Sequence, residues 1–206
     1  MGQAPPPPDK TSKAPFRYAV QLSEVVLAAE KAMVSFLMAM VLILILLNVV
    51  TRYAGAPLYW VDEAAVYTMV WLAFVGASAL TRLRLDFSVT LLSDRLSEVN
   101  ARRMKALAGL CSAAFAFALG VMCWRWMDPI GIAGAGFDAK TYAGTSFNFL
   151  YTEQTQTLRW PTWTVSIVIP IFAVTMFVHA IANVVEDLGL APARRHSDFS
   201  SAEVVS

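Results

Sequence analysis

Charge is scarce in this sequence. Of its 206 residues 15% are charged, against about 25% in an ordinary soluble domain. The charge present is balanced, with 16 basic and 15 acidic residues and a net of +1. That excludes a nucleic-acid binder, which needs a basic excess. Cysteine is nearly absent too. Cys111 and Cys123 share one apolar run, and the helix between them would hold their Cα atoms about 18 Å apart, beyond disulfide reach. Histidine is limited to His179 and His196, which excludes a paired haem ligation or a Cys/His metal cluster. No P-loop, nucleophile elbow or dinucleotide fingerprint occurs. The chain therefore reads as no enzyme, with no catalytic constellation, cofactor or metal.

What is present is long apolar runs. Hydrophobic residues make up 57% of the chain. Four runs without Asp, Glu, Lys or Arg stand out: Ala32 to Val50, Ala64 to Leu80, Ala106 to Trp124 and Trp160 to Asn183. Each has the length that a helix needs to cross about 30 Å of hydrocarbon. In lipid the backbone must satisfy its own hydrogen bonds, and none of the runs alternates as a barrel strand would. The expected fold is an all-α integral membrane protein with four transmembrane helices, at about 32–50, 61–80, 106–124 and 161–183. The first run is expected to be a retained anchor, because about 30 residues precede it and no small-residue cleavage site follows.

Charge asymmetry sets the expected orientation. With both termini cytoplasmic, 12 basic residues lie inside, six of them in the linker between the second and third runs. Outside lie four: Arg52, Arg125, Lys140 and Arg159. The positive-inside rule favours this arrangement.

The connecting segments differ in character. Residues 1–15 hold a run of four prolines, Pro5 to Pro8, and read as a flexible tether; residues 16–190 form the membrane domain and 191–206 a second tail. In residues 16–31, Arg17, Gln21, Glu24, Ala28 and Lys31 share one helical stripe. That fits either an amphipathic interfacial helix or a hydrated extension of the first span. The linker 81–105 alternates at first, but Leu85, Val89, Leu92 and Leu96 also fit a helix. It is read as a second interfacial helix, with Arg82, Arg84, Arg102 and Arg103 reaching lipid headgroups. Residues 125–160, rich in glycine, form an external loop that either folds against another protein or is mobile.

The spans carry little polar chemistry. A transporter that moves its own substrate keeps ionisable groups near mid-bilayer. Here Asn48 lies near one end of the first span, and His179 and Asn183 near the end of the fourth. His179 is read as a packed or headgroup-level side chain. Pro170 removes one backbone bond from the fourth span. Small residues recur four apart in the third, as in Gly109 and Ala113 or Ala116 and Gly120, a spacing that lets helices approach closely.

The start of the second span is the most distinctive stretch. Arg52-Tyr53 precedes a turn with Pro57; Trp60-Val61-Asp62-Glu63 opens the run, and Tyr67, Trp71 and Gly76 follow. Glu63, Tyr67 and Trp71 share a helix face. The helix dipole and the interface explain Asp62, Glu63 and Trp60 without any function. Alternatively Glu63 faces protein, and the Trp71 indole needs an acceptor at its depth.

At these residues the sequence resembles the small permease subunit of tripartite ATP-independent periplasmic (TRAP) transporters, the DctQ type. The shared features are Arg52-Tyr53, Trp60 with Glu63, Trp71 and Gly76, the basic linker closing on Asp94-Arg95-Leu96, and Trp160-Pro161 with Ile169-Pro170. Asp86 and Thr90 stand where the family commonly has histidine and aspartate. The resemblance implies a multi-pass protein of the bacterial inner membrane. In it, a large permease subunit carries the substrate and sodium sites, a periplasmic solute-binding protein delivers an organic acid, and the small subunit braces the large one. It further implies that Arg52, Tyr53, Trp60, Glu63, Tyr67, Trp71 and Gly76 contact the large subunit. The rival readings are a small proton-coupled exporter using Glu63 and a structural or anchor subunit of another membrane complex.

Overall fold

A computed structural model describes residues 14–84 and 97–192. The proline tether, the linker positions Leu85 to Leu96 and most of the last segment lie outside them. The described residues form seven helices: α1 Ala14–Tyr53, α2 Tyr59–Leu83, α3 Glu98–Met127, α4 Pro129–Gly134, α5 Ala139–Ser146, α6 Thr162–Ser166 and α7 Val168–Asp187. Four stretches are long and apolar enough to cross a membrane: Phe16–Tyr53, Tyr59–Leu83, Val99–Gly134 and Thr162–Asp187.

α1 runs unbroken for 40 residues, about 60 Å at 1.5 Å per residue, twice the hydrocarbon thickness. Residues 16–31 are therefore an extension of the first span, the second of the two alternatives. One seam of α1 faces the bundle: Val20, Ser23, Leu27, Glu30, Leu37 and Leu44 are all buried. Their spacings of three, four and seven residues are a 3.5-residue repeat, the pattern that keeps a helix in contact with antiparallel neighbours. Elsewhere α1 is apolar and open, as at Phe36, Leu42, Ile43 and Leu46, so its outer surface suits lipid or another protein.

Consecutive long helices run antiparallel, which leaves α2 and α7 side by side and parallel. Leu44 packs on Val61 and Ala65 at the end where the loops lie. Leu37 meets Val75 and Val168 midway, and Val20 meets Ala182 and Val185 at the end nearest the chain termini. In the middle, the hydroxyls of Ser78 and Thr175 lie 2.7 Å apart and tie α2 to α7, the kind of interhelical bond that holds membrane bundles.

α3 leans chiefly on α7, through a stripe of small residues. Ala113 and Ala116 are buried, and a Cβ added at Gly109 would lie 2.8 Å from Val184 Cγ2. Gly109→Val is therefore expected to push the two helices apart, costing about 1–3 kcal/mol of overpacking and lowering the unfolding temperature in detergent. Gly76→Val, where a Cβ meets nothing within 4 Å, should leave that temperature unchanged.

The fourth span is interrupted at Ile167, between α6 and α7. Pro170 has no N–H to give the carbonyl of Ser166, and its ring crowds that residue. The Trp71 indole N–H donates to the carbonyl of Val165 next to the break, at 3.1 Å. This is the acceptor that a tryptophan at this depth requires.

Candidate functional site

Polar chemistry gathers at the two ends of the bundle. At the loop end, Glu63 stands in the second turn of α2, where a turn of the external loop crosses it. Its Oε1 accepts the backbone N–H of Gln156 at 2.8 Å. Its Oε2 accepts those of Thr157 at 2.7 Å and Leu158 at 2.8 Å, and also the Thr157 hydroxyl. The Tyr67 hydroxyl, one turn deeper, donates to Oε1 at 3.1 Å. Neither headgroups nor a partner helix supplies these donors, the two addresses open in the sequence; the chain's own loop does.

That loop is folded on its own contacts. The Asp128 side chain accepts from the Gly131 N–H at 3.0 Å and the Tyr142 hydroxyl at 2.9 Å. The hydroxyl of Tyr151 donates to the Met127 carbonyl at 2.6 Å. Asp138 caps α5, where the Thr141 hydroxyl and the Lys140 N–H hold its carboxyl below the ordinary range. Burial pushes the Tyr151 phenol up. A short antiparallel bridge joins Gln154 to Pro161, closing the turn that Glu63 grips.

Beside it, Arg52 pairs with Asp62 at 2.7 Å and donates from Nε to Asn48 at 2.8 Å, while Asn48 also donates to Asp62. Both partners of the ion pair are largely exposed, so it fixes the α1–α2 turn at little energetic gain. Tyr53 is 91% exposed. Trp60, Tyr67 and Trp71 line a shallow apolar groove between α1, α2 and α6. Gly76 faces open space on the far side of α2. The residues singled out from the second span thus divide among an ion pair, a loop clamp, a groove and an open helix face.

The other end corrects the sequence reading. Arg82, expected at lipid headgroups, is 1% exposed and sits inside the bundle among three acceptors. Its Nη1 donates to Asn183 Oδ1 at 2.7 Å, its Nη2 to Glu186 Oε1 at 2.7 Å and to Glu24 Oε1 at 2.6 Å, and its Nε to Glu24 at 3.0 Å. Arg84 is half-buried and reaches Glu186 at 3.2 Å and Asp187 at 2.5 Å. The physical reason is that α1 and α7 bring carboxylates to the same level, and charge-assisted hydrogen bonds from a guanidinium to them are about twice as strong as neutral ones. Arg102 and Arg103 are exposed at the start of α3.

One turn deeper lies a second buried set that the sequence did not reveal. His179 is fully buried, with Nδ1 2.7 Å from the Ser23 hydroxyl and Nε2 2.9 Å from Glu30 Oε2. It is the packed histidine expected, but its partners are polar residues of α1. The signal that could have found them is the seam repeat, in which Ser23 and Glu30 occupy inward positions. Asn183 closes the set by donating to the Thr81 carbonyl at 2.7 Å. Among the described residues no group of three His, Cys, Asp or Glu could hold a metal ion.

Between these two polar layers the bundle is apolar apart from hydroxyls, and Glu63, Asp62, Glu24, Glu30 and Glu186 each answer a donor of the same chain. Neither a curated protein nor a solved structure matches the sequence. The family described as tripartite ATP-independent periplasmic transporters, DctQ component, matches residues 40–190. That stretch takes in α2, α3, α7 and the folded loop that Glu63 holds, and with the four spanning helices it places the chain in the DctQ family, as a small membrane subunit of a TRAP transporter.

Proposed function

We propose that this chain braces the large permease subunit of a TRAP transporter in a bacterial inner membrane, with both termini cytoplasmic. The complex would take up an organic acid delivered by a periplasmic binding protein and driven by sodium. One observation carries this reading: the carboxylates set into the two ends of the bundle, Glu63 at one and Glu30 and Glu186 at the other, are engaged within the chain, and the apolar layer between them offers no carboxylate or cation for a coupled ion. Such a bundle is rigid and self-satisfied, which suits a scaffold more than a conduit. An exporter using Glu63 is not supported, since loop N–H groups already occupy that carboxylate. The partner surface in this reading is the open face of α2 at Gly76.

Reconstitution tests it. Uptake into liposomes under a sodium gradient is expected only when this chain, the large permease and the binding protein are present together. Accumulation by this chain alone would overturn the reading. Gly76→Trp is expected to abolish co-purification with the large subunit while leaving the isolated chain folded, because the new ring projects from an open helix face.

A further inference from the structure

We infer that the groove at the loop end is a phospholipid site, taking one acyl chain between α1, α2 and α6 and placing the phosphate near Arg159. The groove has a volume of about 420 Å³, and its lining includes Phe36, Leu44, Ala64, Trp71, Trp160 and Val165. Apart from the indole N–H groups of Trp60 and Trp160, its few side-chain polar groups already have partners. The Trp71 indole donates to Val165 at 3.1 Å, the Thr68 hydroxyl to the Ala64 carbonyl at 2.7 Å, the Thr164 hydroxyl to the Pro161 carbonyl at 2.7 Å, and the Tyr67 hydroxyl to Glu63 at 3.1 Å. Below the indole N–H groups of Trp60 and Trp160 at the mouth, an occupant finds every hydrogen-bonding group already taken, so a polar one would be desolvated there without return and a hydrocarbon would not.

The dimensions fit one leaflet. Along α2 the lining runs from Trp60 to Trp71, about 16 Å of helix, close to half of the roughly 30 Å hydrocarbon core. At the mouth Trp60, Tyr59 and Trp160 are exposed, the aromatic types that settle at headgroup depth. The charge fits as well. Arg159 lies between two lining residues, Leu158 and Trp160, is exposed, and has no ion-pair partner among the described residues. It also holds a left-handed backbone, φ 57°, where a long side chain is uncommon. Glu63 reaches the same turn, but its carboxylate is directed at the N–H groups of residues 156–158. Glu63 keeps its charge there, yet its oxygens are filled by those N–H groups, so the guanidinium of Arg159, outside any ion pair among the described residues, is the rim group that can donate to a phosphodiester.

The experiment uses the full chain, purified in mild detergent, incubated with vesicles of dioleoylphosphatidylglycerol, re-extracted and weighed by native mass spectrometry. One retained phospholipid per chain is expected. Ala64→Trp, which fills the groove, should lower retention about tenfold. Arg159→Gln should lower it about fivefold, the worth of one basic residue at an anionic lipid surface, and Arg159→Lys should restore it. The Arg159 variants change an exposed loop residue and so remain informative if Ala64→Trp fails to fold. Unchanged retention in Arg159→Gln and in a folded Ala64→Trp would overturn the inference. So would loss of the large permease from Ala64→Trp with lipid retention unaltered, because the groove would then belong to a protein partner; the scaffold reading would survive that result.

Discussion

Arg82→Met is expected to be the most destabilising single substitution in this membrane domain. The side chains of Arg82 and Glu186 are each 1% exposed, so removing the guanidinium leaves a buried carboxylate with only the longer contact to Arg84, at 3.2 Å, and leaves Asn183 Oδ1 without its donor. Breaking a buried ion pair from one side costs about 3–5 kcal/mol, a large part of a typical folding free energy. Thermal unfolding in detergent, followed by circular dichroism, should show a clearly lowered midpoint. Arg82→Lys should recover only part of it, since one ammonium cannot serve Glu24, Glu186 and Asn183 at once. Glu24→Gln should be mild, because that side chain is 21% exposed. The double variant Arg82→Met, Glu186→Met should regain stability over the single one, as the stranded charge goes with its partner. An equal midpoint for Arg82→Met and the wild type would show that the network contributes nothing.

Glu63→Ala should have its largest effect far from α2 in sequence. Three consecutive backbone N–H groups, of Gln156, Thr157 and Leu158, end on this one carboxylate. Without it they turn to water and the crossing of the loop over α2 is lost. Hydrogen exchange at these three amides is expected to rise by about tenfold or more, while exchange in α7 stays the same, since local opening is set by local bonds. Trypsin should then cut after Arg159, next to the released turn. Glu63→Gln should fall between, as the amide keeps an acceptor oxygen and loses the charge that strengthens each bond. Unchanged exchange at residues 156–158 would remove the clamp from this account.

Much of the architecture is legible in the sequence. The uncharged runs mark the spans because lipid tolerates little else. The small residues Gly109, Ala113, Ala116 and Gly120 do mark a close approach, here to α7. Pro170 marks the interruption at Ile167. The sites were less legible, for a physical reason. Arg82 lies at the end of an apolar run, where a basic residue ordinarily meets headgroups. Its partners Glu24 and Glu186 stand 58 and 104 positions away, and no local spacing reports such pairings. Glu63 is hidden in the same way, its loop donors lying 93 to 95 positions on. In α1 the seam is masked because apolar side chains surround the helix on all sides; only its polar members, Ser23 and Glu30, betray which side turns inward.

The leaning of α3 on α7 bears on how the chain is made. Helices emerge from the ribosome in order, so α1 and α2 can pair as a hairpin at once, through Leu44, Val61 and Ala65. α3 comes next and has little to grip, since its close contacts, at Val184 and Ala173, are on a segment not yet synthesised. Arg82 waits as well, for Glu186 and Asn183. The last span to leave the translocon is thus the keystone that closes the structure, and a nascent polypeptide stalled before Trp160 holds a finished pair and a lodger.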